Sequence, residues 1–254
     1  MSVLIIGGGR GGYQTAFALR AEGYQSSITI GGDEPHLPYQ RPPLSKGILL
    51  GKQQERHALL RVAEFYEKQN IQLIKGTRVG SLREAATGHD WVVLATGSRN
   101  RLLTCPGAEH ALYVRTLDES LELKRRLDAA VSVAVIGGGF IGLEVAAAAR
   151  MLGKAATVIE AQPRLMARVV APVVSQFFFD QHTARGVRVM LNAFVERLEA
   201  PRRTLQADRD FLLDLVVSLR PHRTDDEGAG DVAARILAQP VGGAVGQADL
   251  DPQG

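Results

Sequence analysis

Residues 3–22 read VLIIGGGRGGYQTAFALRAE, and residues 133–153 read VAVIGGGFIGLEVAAAARMLG. The two stretches are one pattern used twice. In each, an apolar run of strand length meets a glycine cluster, which opens a segment whose apolar residues return at helical spacing. Ala16, Leu19 and Tyr24 do so in the first copy, and Val145, Ala149 and Leu152 in the second. A second strand is predicted after each helix, at residues 27–30 before Gly31-Gly32-Asp33-Glu34 and at residues 156–159 before Glu160. Strand, tight turn, helix and strand make a βαβ unit, so the expected fold class is α/β, with two Rossmann-like dinucleotide-binding folds in tandem.

Within the clusters, Gly7, Gly9 and Gly12 fill G-x-G-x-x-G, and Gly137, Gly139 and Gly142 fill it again. The first glycine permits the turn, the second lets a pyrophosphate approach the backbone, and the third lets helix and strand pack closely. The free N–H groups at the helix start then receive the anion. An acidic residue is expected about 20 positions further on, where a carboxylate accepts hydrogen bonds from a ribose. Asp33 and Glu34 lie 21 and 22 residues after Gly12, and Glu160 lies 18 after Gly142. A carboxylate at Glu160 repels the 2′-phosphate of NADP, so the second site is expected to prefer NAD.

Between the copies lie a proline-rich loop at residues 35–43, a predicted helix near 61–69 and predicted strands at 71–74 and 91–94. The second of these strands ends in Ala95-Thr96-Gly97-Ser98. Thr116-Leu117-Asp118-Glu119 has the form of a capping box and predicts a helix from there to about Ala129. A strand within 211–219 is the last feature that the pattern supports.

Composition narrows the function classes. With 254 residues, 45% hydrophobic and 22% charged, the chain has the makeup of ordinary globular domains rather than of a disordered or fibrous protein. The single cysteine, Cys105, cannot form an internal bridge or a CxxC redox pair. His36, His57, His89, His110, His182 and His222 show no metal-ligand spacing, and no metal site is expected. Net charge is +3 from 30 basic and 27 acidic residues, without a recognition-helix or stacking-aromatic pattern, so nucleic acid is not an expected partner. No apolar run reaches the ~18 residues of a membrane span, and no signal-peptide core precedes the first strand. A cytoplasmic location is expected.

Two dinucleotide folds in one chain suggest two nucleotides that exchange a hydride. Residues 32–46 (GDEPHLPYQRPPLSK), 95–103 (ATGSRNRLL) and 137–164 (GGGFIGLEVAAAARMLGKAATVIEAQPR) resemble the FAD-dependent pyridine nucleotide-disulfide oxidoreductase superfamily. More narrowly, they resemble its ferredoxin and rubredoxin reductases, and the likeness runs from residue 2 to about 198. It implies FAD in the first fold and NADH in the second. It places Gly7, Gly9 and Gly12 at the FAD pyrophosphate, Asp33 or Glu34 at its ribose, and Ala95, Thr96 and Gly97 among the residues that bind it. Arg41 and Lys46 would flank the flavin, with Lys46 near the isoalloxazine ring, where a cation stabilises charge on the reduced form. Glu144, two residues past Gly142, would reach the same place and pair with Lys46, since a buried lysine needs a partner. Lys46 and Glu144 are thus the candidate catalytic residues. The missing CxxC sends the electrons to an external acceptor, a ferredoxin- or rubredoxin-like iron-sulfur partner; the oligomeric state is left open.

The chain also departs from that pattern. Only residues 77–90 join the strand at 71–74 to the A-T-G segment, where relatives have a β-meander. Asp231, in Ala-Gly-Asp-Val-Ala at 229–233, resembles the cofactor-binding aspartate of the second FAD motif, but the spacing before it is short. The expected division is an FAD-binding domain at 1–107, an NAD(H)-binding domain at 108–200 and a divergent tail at 201–254, with the C-terminal interface domain missing. Two readings compete with a working reductase: a non-catalytic nucleotide-binding protein, and a degenerate, internally deleted relative without reductase activity.

Overall fold

The strand that feeds the first glycine turn, β1 (Val3–Ile6), is buried at every residue, which accounts for its continuous apolar run, because a parallel strand covered on both faces has no solvent side. A computed structural model describes residues 1–199 and the backbone of a strand at 216–221. After β1 come α1 (Arg10–Ala21), β2 (Ile28–Gly31), α2 (Ala63–Lys68), β3 (Ile71–Ile74), α3 (Leu82–Ala85) and β4 (Trp91–Leu94). The strands form one parallel sheet in the order β3-β2-β1-β4. Val3, Ile5, Ile28 and Ile30 of this sheet pack against Tyr13 and Ala16 of α1 and Tyr66 of α2.

The second unit repeats the design. Here α4 (Leu117–Ala129), β5 (Ser132–Ile136), α5 (Phe140–Met151), β6 (Ala155–Ile159), α6 (Pro172–Ala184) and β7 (Val187–Met190) build a parallel sheet in the order β5-β6-β7. Two Rossmann-like folds in tandem are therefore present. The capping box is formed: Thr116 Oγ1 accepts from Glu119 N–H at 3.2 Å, and Glu119 Oε2 accepts from Thr116 N–H at 3.0 Å. A final antiparallel pair, β8 (Ala193–Glu199) with β9 (Val216–Pro221), follows.

Most predicted boundaries hold to within a residue, with β6 starting at Ala155 rather than 156, while α3, α6, β7 and β8 carry no prediction; two boundaries differ for a physical reason. The helix expected from 61 starts only at Ala63, because Arg61 instead lies over the rings of Tyr13 and Phe65, 5.8 and 5.3 Å from their centroids. The strand expected at 27–30 runs one residue later, since Gly31 stays in register with Ile6 and Ile74. Of the strand expected within 211–219, the part from Val216 is present as β9; the remainder, with Asp231, lies outside the described residues.

What joins the two folds is the proline-rich loop. Pro42–Ser45 make a turn of 3-10 helix whose Leu44 is buried with Tyr39, Ile48, Ala58 and Leu117. Leu49, fully buried, belongs to the core of the second fold, beside Leu123, Leu127, Val135 and Leu143. Ser120 of α4 donates to the Leu44 carbonyl at 2.6 Å. Burying two leucines contributes roughly 3–6 kcal/mol at about 1.5–3 kcal/mol each. The loop is thereby fixed against α4 and α5, and the residue it carries next, Lys46, is held at the junction.

Candidate dinucleotide site

At the carboxyl ends of β1 and β2 the first glycine turn is packed as tightly as a backbone allows. A Cβ on Gly7, where φ is +125°, would lie 2.1 Å from the Ala95 carbonyl oxygen, and one on Gly12 would lie 1.9 Å from the Gly7 carbonyl oxygen. Neither position admits a side chain. Gly8 and Gly9 differ: a Cβ on either meets nothing within 4 Å. The protein's own packing thus explains Gly7 and Gly12, whereas Gly9 borders open space at the start of α1 and leaves the backbone N–H groups there approachable by an anion. The second turn matches it at two of the three glycines, with a Cβ on Gly142 at 2.0 Å from the Gly137 oxygen and nothing within 4 Å at Gly139; Gly137, unlike Gly7, meets nothing within 4 Å and is set apart only by its φ of +106°.

A cleft of about 400 Å³ opens beside the first turn, lined by Gly7, Asp33, Glu34, Arg41, Thr96 and Gly97 among others. The structure brings those predicted residues together. It also separates the roles of the two acids. Glu34 accepts from Arg41 Nη2 at 2.5 Å and from the Tyr39 hydroxyl, so its carboxylate is engaged. Asp33 is exposed and its carboxylate makes no hydrogen bond or ion pair among the described residues. Of the pair, Asp33 is the one whose oxygens are available to a ribose. Arg41 is likewise engaged: its Nη1 also donates to the Tyr39 hydroxyl at 2.7 Å and to the Arg115 carbonyl at 2.5 Å. Burial, reinforced by the bond to Glu34, pushes the Tyr39 hydroxyl up, so that it stays protonated. The same hydroxyl accepts from Leu117 N–H at 2.9 Å, which ties the loop after β2 to the start of α4.

Several lining residues carry no local signal in the sequence. Arg115 reaches across with its Nε donating to the Ser98 carbonyl at 2.5 Å. Asn100 donates to Glu119 Oε1 at 2.9 Å, and Arg78 and Arg99 lie on the walls. Arg115 directly precedes the capping box, and that adjacency was the one available pointer to it.

Lys46 and Glu144 meet at the junction of the folds, with Nζ 2.7 Å from Oε1. Ser45 donates to the other carboxylate oxygen at 2.5 Å, a partner that the sequence reading missed. Lys46 is not buried: its side chain is 52% exposed, against 31% for Glu144, because only the stem-side residues Leu44 and Ser45 enter the core. Arg41 lines the 400 Å³ cleft, and neither member of the Lys46–Glu144 pair does.

In the second fold Glu160 follows β6 and turns back over the glycine loop, where its oxygens accept from Gly138 N–H at 2.6 Å and Gln162 N–H at 2.8 Å. The carboxylate is thereby aimed across the loop that would hold a pyrophosphate. Among the described residues no group of His, Cys, Asp and Glu could hold a metal, and no helix is long and apolar enough to cross a membrane.

Comparison with known proteins agrees with this geometry. The pyridine nucleotide-disulphide oxidoreductase family matches residues 1–233. Rhodocoxin reductase of Rhodococcus erythropolis is 42% identical over 212 residues, covering 79% of this chain and 50% of that protein. A rubredoxin-NAD(+) reductase of Pseudomonas putida is 40% identical over 205 residues, covering 76% and 53%. Among solved structures, the ferredoxin reductase for the CYP199A2 system from Rhodopseudomonas palustris superposes with a TM-score of 0.75 at 40% identity, covering 86% of this chain and 55% of that one. The reductase of a covalent putidaredoxin reductase–putidaredoxin complex gives 0.76 at 34% identity, covering 86% and 54%. The chain spans about half the length of these relatives.

Proposed function

From the premise that this chain belongs to the pyridine nucleotide-disulphide oxidoreductase family, we propose that it is a cytoplasmic FAD-dependent NADH oxidoreductase of the ferredoxin reductase type, whose electrons leave to a ferredoxin- or rubredoxin-like iron-sulfur partner. Residues 1–107 hold FAD in this reading, 108–200 hold NADH, and 201–254 form a divergent tail. The observation that supports it best is the Lys46–Glu144 contact, which joins the loop after β2 of the first nucleotide fold to the helix α5 that follows the second glycine turn.

The residues fit the two nucleotides. Gly9 and Gly139 border open space where a pyrophosphate needs backbone N–H groups, and Asp33 has a free carboxylate for a ribose. Bound FAD supplies the capacity to accept a hydride and release electrons singly. The chain's own task is to bind, orient and exclude. Gly7 and Gly12 keep the turn closed, Arg41 and Glu34 brace the loop, and Glu160 selects the unphosphorylated ribose. Lys46 presents a cation held by Glu144, which is in turn held by Ser45.

The test is the visible spectrum of the purified chain with and without added FAD, followed by anaerobic NADH titration. A flavin spectrum that NADH bleaches is expected. A colourless chain that retains no added FAD would remove the reductase reading and leave a nucleotide-binding or non-functional relative, which protection from unfolding by NADH would tell apart.

Replacing Glu160 with Gln keeps an acceptor for Gly138 N–H but discards the charge. Charge-assisted hydrogen bonds contribute about 1.5–3 kcal/mol, so NADH affinity is expected to fall about tenfold or more, while NADPH binding improves as the repulsion disappears. Titrations of both nucleotides check this, and unchanged affinities for the two would take Glu160 out of the ribose site.

A further inference from the structure

Residues 96–104, which carry the chain from β4 toward the second fold, have no helix or strand of their own. Among the described residues they also make no backbone–backbone hydrogen bond: the last one before them is Ala95 N–H to the Ile6 carbonyl, and the next uses the Cys105 carbonyl. Side chains hold the segment instead, and all of them come from residues 113–119, at and just before the start of α4. The Tyr113 hydroxyl accepts from Leu103 N–H at 3.0 Å, Arg115 Nε donates to the Ser98 carbonyl at 2.5 Å, and Glu119 Oε1 accepts from Asn100 Nδ2 at 2.9 Å. A loop whose backbone polar groups are left to water opens at low cost, so these bonds decide where it lies. Its first half, Thr96 to Asn100, is a wall of the 400 Å³ cleft.

Glu119 does two jobs with one carboxylate. Its Oε2 accepts from the N–H groups of Arg115 at 2.7 Å and Thr116 at 3.0 Å, which caps α4, and its Oε1 holds Asn100. The helix is itself fixed, with Leu117 buried beside Tyr39 and Leu44, and with Leu123 and Leu127 in the core of the second fold. A strap over the first cleft is thus hung from an element packed into the second fold. We propose that Glu119 is a positioning residue of the first nucleotide site: through Asn100 it keeps residues 96–100 closed against the cleft, and a bound cofactor leaves only when that bond opens. The identity of the cofactor as FAD rests on the reading given above. A bond to a carboxylate is roughly twice as strong as one between neutral groups, which suits it to be the main catch.

Reversing the polarity of the pair tests this. Glu119→Gln keeps an oxygen for the cap, since Gln also serves in capping boxes, but turns an amide toward the amide of Asn100. Asn100→Asp sets carboxylate against carboxylate. In the combined variant the amide at 119 donates to the carboxylate at 100, and the bond is remade. Release of FAD from the loaded chain, followed by flavin fluorescence after dilution, is expected to be about tenfold faster in either single variant and within about threefold of the parent in the combined one. Trypsin supplies a readout that needs no cofactor. Arg99 and Arg101 are exposed in the strap, and cleavage of a native chain reports its open population. Cleavage there, relative to the same chain unfolded in urea, is expected to rise about tenfold in each single variant and to fall back in the combined one. A combined variant no slower than the faster single one overturns the proposal, and so do single variants that release FAD and resist trypsin like the parent. Retained FAD whose release ignores all three variants would likewise overturn it and leave the FAD reading standing. Cleavage that follows the crossed pattern in a chain that retains no FAD would support the positioning role and sink the FAD reading.

Discussion

A Gly12→Val chain is expected to lose FAD affinity by about a hundredfold or more while its NADH affinity stays within about threefold, and Gly142→Val is expected to do the reverse. Two steric overlaps cause these losses. A Cβ on Gly12 falls 1.9 Å from the Gly7 oxygen and 3.3 Å from Ile5 Cγ2, and a Cβ on Gly142 falls 2.0 Å from the Gly137 oxygen and 3.2 Å from Val135 Cγ1. In each case the atom that must yield is backbone of the same turn, so helix and strand separate by widening the site where the phosphates sit. Forcing extra carbon into packed structure costs about 1–3 kcal/mol or more. Opening the turn also removes several backbone donors from one anion. A hundredfold loss requires only about 2.7 kcal/mol.

The two turns belong to different sheets, and substitutions that share no partners act nearly independently. Flavin fluorescence and NADH titration on the two variants therefore give crossed results. A variant that loses both nucleotides equally would show that the folds are not independent binding units. Gly9→Ala serves as the companion: its Cβ meets nothing within 4 Å and its φ is −82°, which alanine adopts freely. That variant is expected to fold normally and still bind FAD less well, which separates loss of the ligand from loss of the fold.

Both turns were readable from the residues alone because their constraints are local. An apolar run, three glycines at fixed offsets and a helical period lie within some twenty residues, and the strands at 71–74 and 91–94 are bounded as the sequence implies. The braces of the site are not local. Arg41 reaches the carbonyl of Arg115 across 74 positions, and Ser45 reaches Glu144 across 99. Nothing in the spacing of a single chain encodes such pairs. The choice between Asp33 and Glu34 shows the same limit. Both stand at the right distance from Gly12, and only the fold, by giving Tyr39 and Arg41 to Glu34, leaves Asp33 free. Lys46 and Glu144 came within reach through family likeness rather than through pattern, and the likeness did not convey that Lys46 is half exposed.

That exposure decides what the Lys46–Glu144 pair is for. An ion pair in contact with water contributes about 0–1 kcal/mol to stability, so Lys46→Ala and Glu144→Gln are expected to move the melting temperature by no more than about 2–4 °C. Their effect on reduction of bound flavin by NADH is expected to be much larger, about tenfold to a hundredfold for each, in the range seen when one preorganised charge is removed from a reacting centre. The geometry further fixes how the two combine. Lys46 is oriented by Glu144, and Glu144 is held from its other oxygen by Ser45 at 2.5 Å. The lysine cannot keep its place once the carboxylate loses its charge. The double variant is therefore expected to be about as slow as the slower single one, as for residues that act as a unit. Ser45→Ala is expected to produce a smaller slowing that vanishes in the Glu144→Gln background. Anaerobic rapid mixing with NADH, followed by the bleaching of flavin absorption, measures all of these rates, and the double-mutant cycle separates coupling from addition. Multiplicative losses would show that the lysine and the glutamate act separately. Unchanged rates with lowered melting temperatures would reduce the pair to a strut between the two folds.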